Sequence, residues 1–204
     1  MAKKIFRNIN MSDANWAVIE NMLAKIMADC MGGAMYNALD GLLGSQTFAI
    51  QFDLNAQTST FDGNTISLNS FESNSLFHEM FHAYQAYQET PTTYDDAIAN
   101  LEVEANIAQY RYLMSLPEVT PGSKWAQTYK EGFGRNVAKL SNRYISKSGT
   151  LIDQSKSTMF TSIFSGAGSM VVSMYAQTGR TISFDYTRSV TQNLKNLANL
   201  SGGC

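Results

Sequence analysis

The chain of 204 residues has two histidines, and both lie in the pentapeptide His78-Glu79-Met80-Phe81-His82. That spacing constrains the fold more than any other feature, because imidazoles four residues apart share a face only if the segment is helical. On a helix the pair can hold one zinc ion, and the glutamate between them reaches a metal-bound water. Zinc lowers the pKa of such a water to about 7, so a carboxylate can take its proton as it attacks a carbonyl. The chemistry implied is hydrolysis of a peptide bond, with Glu79 as general base and one Zn2+ per chain.

A helical wheel over residues 75–88 supports that reading. Leu76, Phe77, Met80, Phe81, Ala83, Tyr84 and Tyr87 cover one broad arc, and His78, His82 and Gln85 lie opposite. A catalytic zinc takes three protein ligands and keeps a fourth position for water. No histidine remains, and Cys30 and Cys204 are isolated, so a carboxylate must complete the site. Two candidates sit on the next long helix. Glu102 shares its face with Ile98, Ala99, Ala105, Asn106, Gln109, Leu113 and Leu116, whereas Glu104 shares one with Asn100, Arg111 and Ser115. Glu102, on an apolar stripe with no cation beside it, is costly to bury without a metal or a donor. The wheel therefore favours Glu102 as the third ligand and makes Glu104 a solvated charge near Arg111, with Glu104 kept as the alternative.

HExxH followed by a glutamate on a second helix resembles the gluzincin metallopeptidases, the thermolysin-like group in its widest sense. Glu102 follows His82 by 20 residues, as in thermolysin-type enzymes. The match covers residues 62–116. In those enzymes an aspartate four residues beyond the glutamate orients a zinc-bound histidine; here that position is Asn106, whose carbonyl oxygen can accept the ring's other N–H without supplying a charge. The resemblance also implies an oxyanion-stabilising histidine or tyrosine. Tyr94, eight residues before Glu102, stands within one residue of where some gluzincin toxins carry theirs, with Tyr110, Tyr129 and Tyr144 as rivals. The stretch Glu102-Val103-Glu104-Ala105-Asn106 is similar to the ImmA/IrrE family, which acts on phage and stress-response repressors. SprT-like enzymes share HExxH but need a third histidine.

The implied fold is α+β and zincin-like, predominantly helical, with a small N-terminal sheet preceding the HExxH helix. The length suits one compact metallopeptidase domain over residues 1–204, with a sheet and active-site lobe at 1–90 and a helical lobe at 91–204. A net charge of −2 with 16% charged residues argues against a nucleic-acid partner and leaves a peptide or protein substrate. No signal peptide is evident behind Lys3, Lys4 and Arg7, and the most apolar stretch, 159–175, is broken by serines and glycines and reads as a buried helix rather than a membrane span. The default location is cytoplasmic, with non-classical release left open. Two cysteines far apart read as free thiols and slightly favour a reducing compartment.

Along the chain, Ser12 or Asp13 starts a helix that runs to about Cys30 and ends at Gly32-Gly33, and a shorter one runs from Ala34 to Leu43. Phe48, Ile50, Phe52 and Leu54 alternate as a strand with one buried face. Asp62-Gly63-Asn64 is a turn before a strand at 65–68, with 65–69 read as the exposed edge that would pair with an extended substrate. Helices are expected at 124–144, 154–177 and 187–200, a brief strand at 181–186, and a mobile tail at 201–204. A reading from a different class, a zinc-stabilised peptide-binding or structural protein, has no use for Glu79 and would need a fourth Cys or His ligand.

Overall fold

The computed structural model describes residues 2–188 and 192–200. In chain order these form α1 (Ala2–Ile5), β1 (Phe6–Asn8), α2 (Asp13–Ala28), α3 (Cys30–Leu43), β2 (Phe48–Phe52), β3 (Thr60–Phe61), β4 (Thr65–Leu68), α4 (Ser73–Gln88), α5 (Pro91–Asp96), α6 (Ile98–Ser115), α7 (Lys124–Thr128), α8 (Gly132–Arg143), a 3-10 turn (Gln154–Lys156), α9 (Ser157–Gln177) and α10 (Gln192–Leu200). The architecture is α+β and predominantly helical, with a four-stranded mixed sheet ahead of α4. The tail at 201–204 lies outside the described residues.

Strand order is β1-β2-β4-β3. β1 and β4 flank β2 in parallel, with Phe6 opposite Phe48 and Ile50 opposite Ile66, and β3 adds antiparallel to β4. β2 is thus an inner strand, and Phe48, Ala49 and Ile50 are all buried rather than alternating. The β3–β4 hairpin turns where Asp62 Oδ1 accepts from the amides of Asn64 and Thr65, at 3.0 and 2.7 Å, with Gly63 at φ 95°. This corrects the expected edge: the strand at 65–68 is interior, and the edge strand on that side of the sheet is β3.

Ser12 caps α2 by accepting from Asn15 N, and Ile19, Met22, Leu23 and Ile26 form its buried face. The break after it falls at Asp29, whose side chain caps α3 through Gly32 N, rather than at Gly32-Gly33. Gly32 lies inside α3 because the turn is tight there: a Cβ would sit 2.2 Å from Ile26 O. Cys30 is disulfide-bonded. The expectation of a free thiol at Cys30 is therefore wrong, and the cysteine argument for a reducing compartment falls with it; Cys204 lies outside the described residues.

In the second half α6 is the central element, packed against α4, α8, α9 and α10. The helix expected at 124–144 is two, α7 and α8, with a break at 129–131 and Gly132, at φ 55°, opening α8. No strand forms at 181–186; instead Asn100 Nδ2 donates to Asp185 O and its Oδ1 accepts from Asp185 N, imitating a ladder with one side chain. α9 buries Phe160, Phe164, Ala167, Gly168 and Val171 while Met159 and Met174 stay exposed, so the helix expected to be buried is mostly exposed. By length and composition alone the segment Gln154–Gln177 could cross a membrane. One apolar core runs through both halves, from Ile5 and Phe48 to Phe160 and Leu197.

Candidate metal centre

Three contacts fix how α4 lies on α6. Gln109 Nε2 donates to Asn74 O at 3.0 Å, Phe77 stacks on Tyr112 with ring centroids 4.5 Å apart, and Gln85 Nε2 donates to Leu101 O at 3.0 Å. Low numbers on one helix meet high numbers on the other, so the pair is antiparallel. That register brings Glu102 opposite the two histidines.

His78 Nε2 and His82 Nε2 are 3.0 Å apart, and Glu102 Oε2 is 3.5 Å from each. Ligands at about 2.0–2.1 Å around a tetrahedral zinc are separated by about 3.4 Å, so the triangle has the size of one metal face. Among the described residues His78, His82 and Glu102 are the only group of three His, Cys, Asp or Glu side chains with donor atoms this close, all within 4.8 Å.

The tautomer of His82 follows from its neighbour. Both N–H groups of the Gln85 amide are directed at acceptors, Leu101 O and Glu104 Oε2 at 3.2 Å, so its Oε1 must face His82 Nδ1, 2.9 Å away. Nδ1 donates there, and the lone pair is left on Nε2, toward Glu102 and His78. Lone-pair atoms packed this closely repel one another unless a cation or a proton lies among them, and the nitrogen and carboxylate set suits a divalent metal such as zinc. His78 Nδ1 is buried and has no hydrogen-bond partner among the described residues.

Electrostatics point the same way. Burial alone would lower His82, but the Glu102 carboxylate and its hydrogen bond, then Glu79 and Gln85, push it up to about 9. Burial would raise Glu102, yet the imidazoles hold it well below the usual carboxylate range. Glu79 is buried and raised, by burial first, with the histidines pulling back and Glu102 adding to the rise.

These groups open into a cleft of about 680 Å³ lined by β3 and the loop just before it (57–61), Tyr94, Asn106, Gln109, Tyr175 and Arg180. Tyr94 is there as the spacing suggests, and among the described residues its hydroxyl makes no hydrogen bond; burial, then the charges of Glu102 and Glu79, raise it. Nothing in the sequence marks Tyr175 as part of the site. It lies 73 residues beyond Glu102, on α9, and its hydroxyl donates to Glu102 Oε1. No periodicity links two helices so far apart in the chain.

Two assignments need correction. Asn106 does not orient a histidine: its Nδ2 donates to Glu102 O at 2.8 Å, within α6. Gln85 takes that role for His82. Nor is Glu104 a solvated partner of Arg111. It is 3% exposed and accepts from Leu194 N at 2.7 Å, Asn193 Nδ2 at 3.0 Å and Gln85 Nε2, while Arg111 binds Ser141 Oγ and the carbonyls of Ile145 and Ser146. Burial pushes Glu104 up, and those three donors oppose the rise. The face of α6 expected to be wet is covered by α10, so a two-sided wheel misreads it.

No family model matches the chain, and no curated protein or solved structure matches it.

Proposed function

We propose that the chain is a metal-dependent peptidase in which His78, His82 and Glu102 hold one divalent cation, with zinc the best fit to the donor set, and Glu79 is the general base. The observation that carries this reading is the convergence of three donor atoms within 4.8 Å at the floor of an open cleft, beside a second, buried carboxylate. The resemblance to gluzincins supports it. A cation bound there supplies Lewis acidity toward a water molecule and the scissile carbonyl.

The chain's own side chains divide the remaining work. Burial raises Glu79, which improves its match to the proton it must take. Its carboxylate removes a proton from the attacking water and returns it to the leaving amine nitrogen. Tyr94, with an uncommitted hydroxyl, donates a hydrogen bond to the oxyanion that develops on the scissile carbonyl. Tyr175 is engaged with Glu102 and steadies that carboxylate. The free edge of β3 borders the cleft and offers backbone groups to an extended peptide.

The test compares wild type with Glu79→Gln on a mixed peptide library, with metal content measured on both. Product formation should fall by about 10²–10⁴ in the variant while one zinc per chain is retained, the range ascribed to a general base. Equal product yields would leave only a binding or structural role for the site. Retention of zinc by a His78→Ala, His82→Ala double variant would overturn the ligand assignment.

A further inference from the structure

Arg180 is the only lysine or arginine among the described residues that line the cleft. Its position is set by the end of α9. Gly179, at φ 78°, donates from its amide to Ala176 O at 3.0 Å, and Arg180 N donates to Tyr175 O at 3.1 Å. These are the two bonds of a Schellman cap, which reverses the chain and returns the residue after the glycine to the helix it has just left. The guanidinium carbon of Arg180 then lies 5.2 Å from the centroid of the Tyr175 ring. The hydroxyl of that ring donates to Glu102. Arg180 is exposed and forms no ion pair among the described residues.

The charges of the cleft leave this arginine unmatched. Among the described residues Glu79 and Glu102 are the only acidic ones lining it, and a divalent cation would balance both. A planar guanidinium bordering an open cleft is suited to a carboxylate, which it can bind through two parallel hydrogen bonds. Stacking on Tyr175 restricts the side chain, so less rotamer freedom is lost when a ligand is bound. One tyrosine ring separates it from the carboxylate of Glu102, a span comparable with one or two residues of extended chain at about 3.3–3.6 Å each.

We propose that Arg180 is a specificity-determining residue that selects peptides carrying a carboxylate within one or two residues of the scissile bond. The inference rests on the peptidase reading for its reaction, and its binding half can be tested without turnover. One peptide would be prepared in four forms, with a glutamate or a glutamine beside the scissile bond and with a free or an amidated C-terminus. Each is assayed for kcat/KM with wild type, Arg180→Gln and Arg180→Lys, and for binding by fluorescence anisotropy in the Glu79→Gln background with and without Arg180→Gln.

Wild type should prefer the carboxylate forms by about tenfold, the scale of one charge-assisted hydrogen-bonded pair. Arg180→Gln should bring that ratio to about one, and Arg180→Lys should keep part of it. Loss of the preference on amidation identifies the terminal carboxylate as the source, and loss on the glutamate-to-glutamine change identifies the side chain. A ratio that Arg180→Gln leaves unchanged, or a wild-type ratio of one, overturns the proposal. Should wild type cleave nothing while Arg180-dependent carboxylate binding persists, the peptidase reading fails and the recognition site stands. A circular-dichroism melt verifies that each variant is folded.

Discussion

Gln85 donates its amide N–H to Glu104 Oε2 at 3.2 Å, and this bond ties α10 to the candidate metal site. Glu104 also accepts from Asn193 and Leu194 at the start of α10, and Gln85 accepts from His82 Nδ1. A buried chain of hydrogen bonds therefore runs from α10 through α6 and α4 to an imidazole. Each group along it has its orientation decided by the next.

Replacing Gln85 with leucine removes the acceptor of His82 Nδ1 and frees the ring to turn. Metal affinity should fall about 10–100-fold, the usual effect of losing the partner that orients a ligating histidine. Competition with a chromophoric chelator measures it. An unchanged affinity would mean that packing alone orients His82.

Truncating Glu104 to alanine orphans the donors at Leu194, Asn193 and Gln85 together. With about 1–3 kcal/mol for each buried group left unsatisfied, the loss should reach several kcal/mol. Hydrogen exchange over 192–200 should accelerate before the rest of the chain, since α10 loses the carboxylate that caps it. If Glu104 were a solvated charge, neither effect would appear.

Metal binding should be pH-dependent in a direction set by His82. In metal-stripped protein its pKa is pushed up to about 9 by Glu102 and Glu79 against the effect of burial. Below that pH the ring carries a proton that the metal must displace, so apparent affinity rises with pH by up to about tenfold per unit and levels off near 9. Zinc titrations at pH 6, 7 and 8, in buffers of different ionisation enthalpy, should register about one proton released per ion at neutral pH. Affinity that falls between pH 6 and 8 would contradict the assignment.

The two tyrosines of the cleft should separate in kinetics. Tyr94→Phe removes a donor used as charge develops on the oxyanion, so kcat should drop about 10²–10³-fold with little change in KM. Tyr175→Phe frees Glu102 Oε1 and should act mainly on metal affinity, with kcat recovered by excess zinc. Equal kcat losses that zinc does not rescue would reverse the two roles.

How far these sites were legible in the chain depends on the range of the contacts that make them. The helix from Ser73 and the placement of His78, Glu79 and His82 on it follow from a period of 3.6 residues; Glu102 is the carboxylate that faces the histidines, although Glu104, expected to be the solvated one, is the more deeply buried of the two. Gln85 was visible as a neighbour of the histidines on the wheel, but not its hydrogen bonds. Glu104 was misread because α6 is covered on more than one side, so apolar patterning no longer separates inside from outside and a buried carboxylate is permitted wherever donors arrive. The edge strand was misplaced because β3 is two residues long, too short to show a period.

By itself the sequence determined that two imidazoles and a glutamate share one turn of helix, and that an acidic residue 20 positions on could face them; covalent geometry and helical repeat suffice for both. Only the tertiary structure decided which hydroxyl meets Glu102, which amide holds His82, and which guanidinium borders the cleft. Tyr175 and Arg180 reach the site because α9 packs on α6, and Glu104 is buried because α10 folds back over it. Such contacts join residues scores of positions apart, where spacing along a chain carries no information about distance in space.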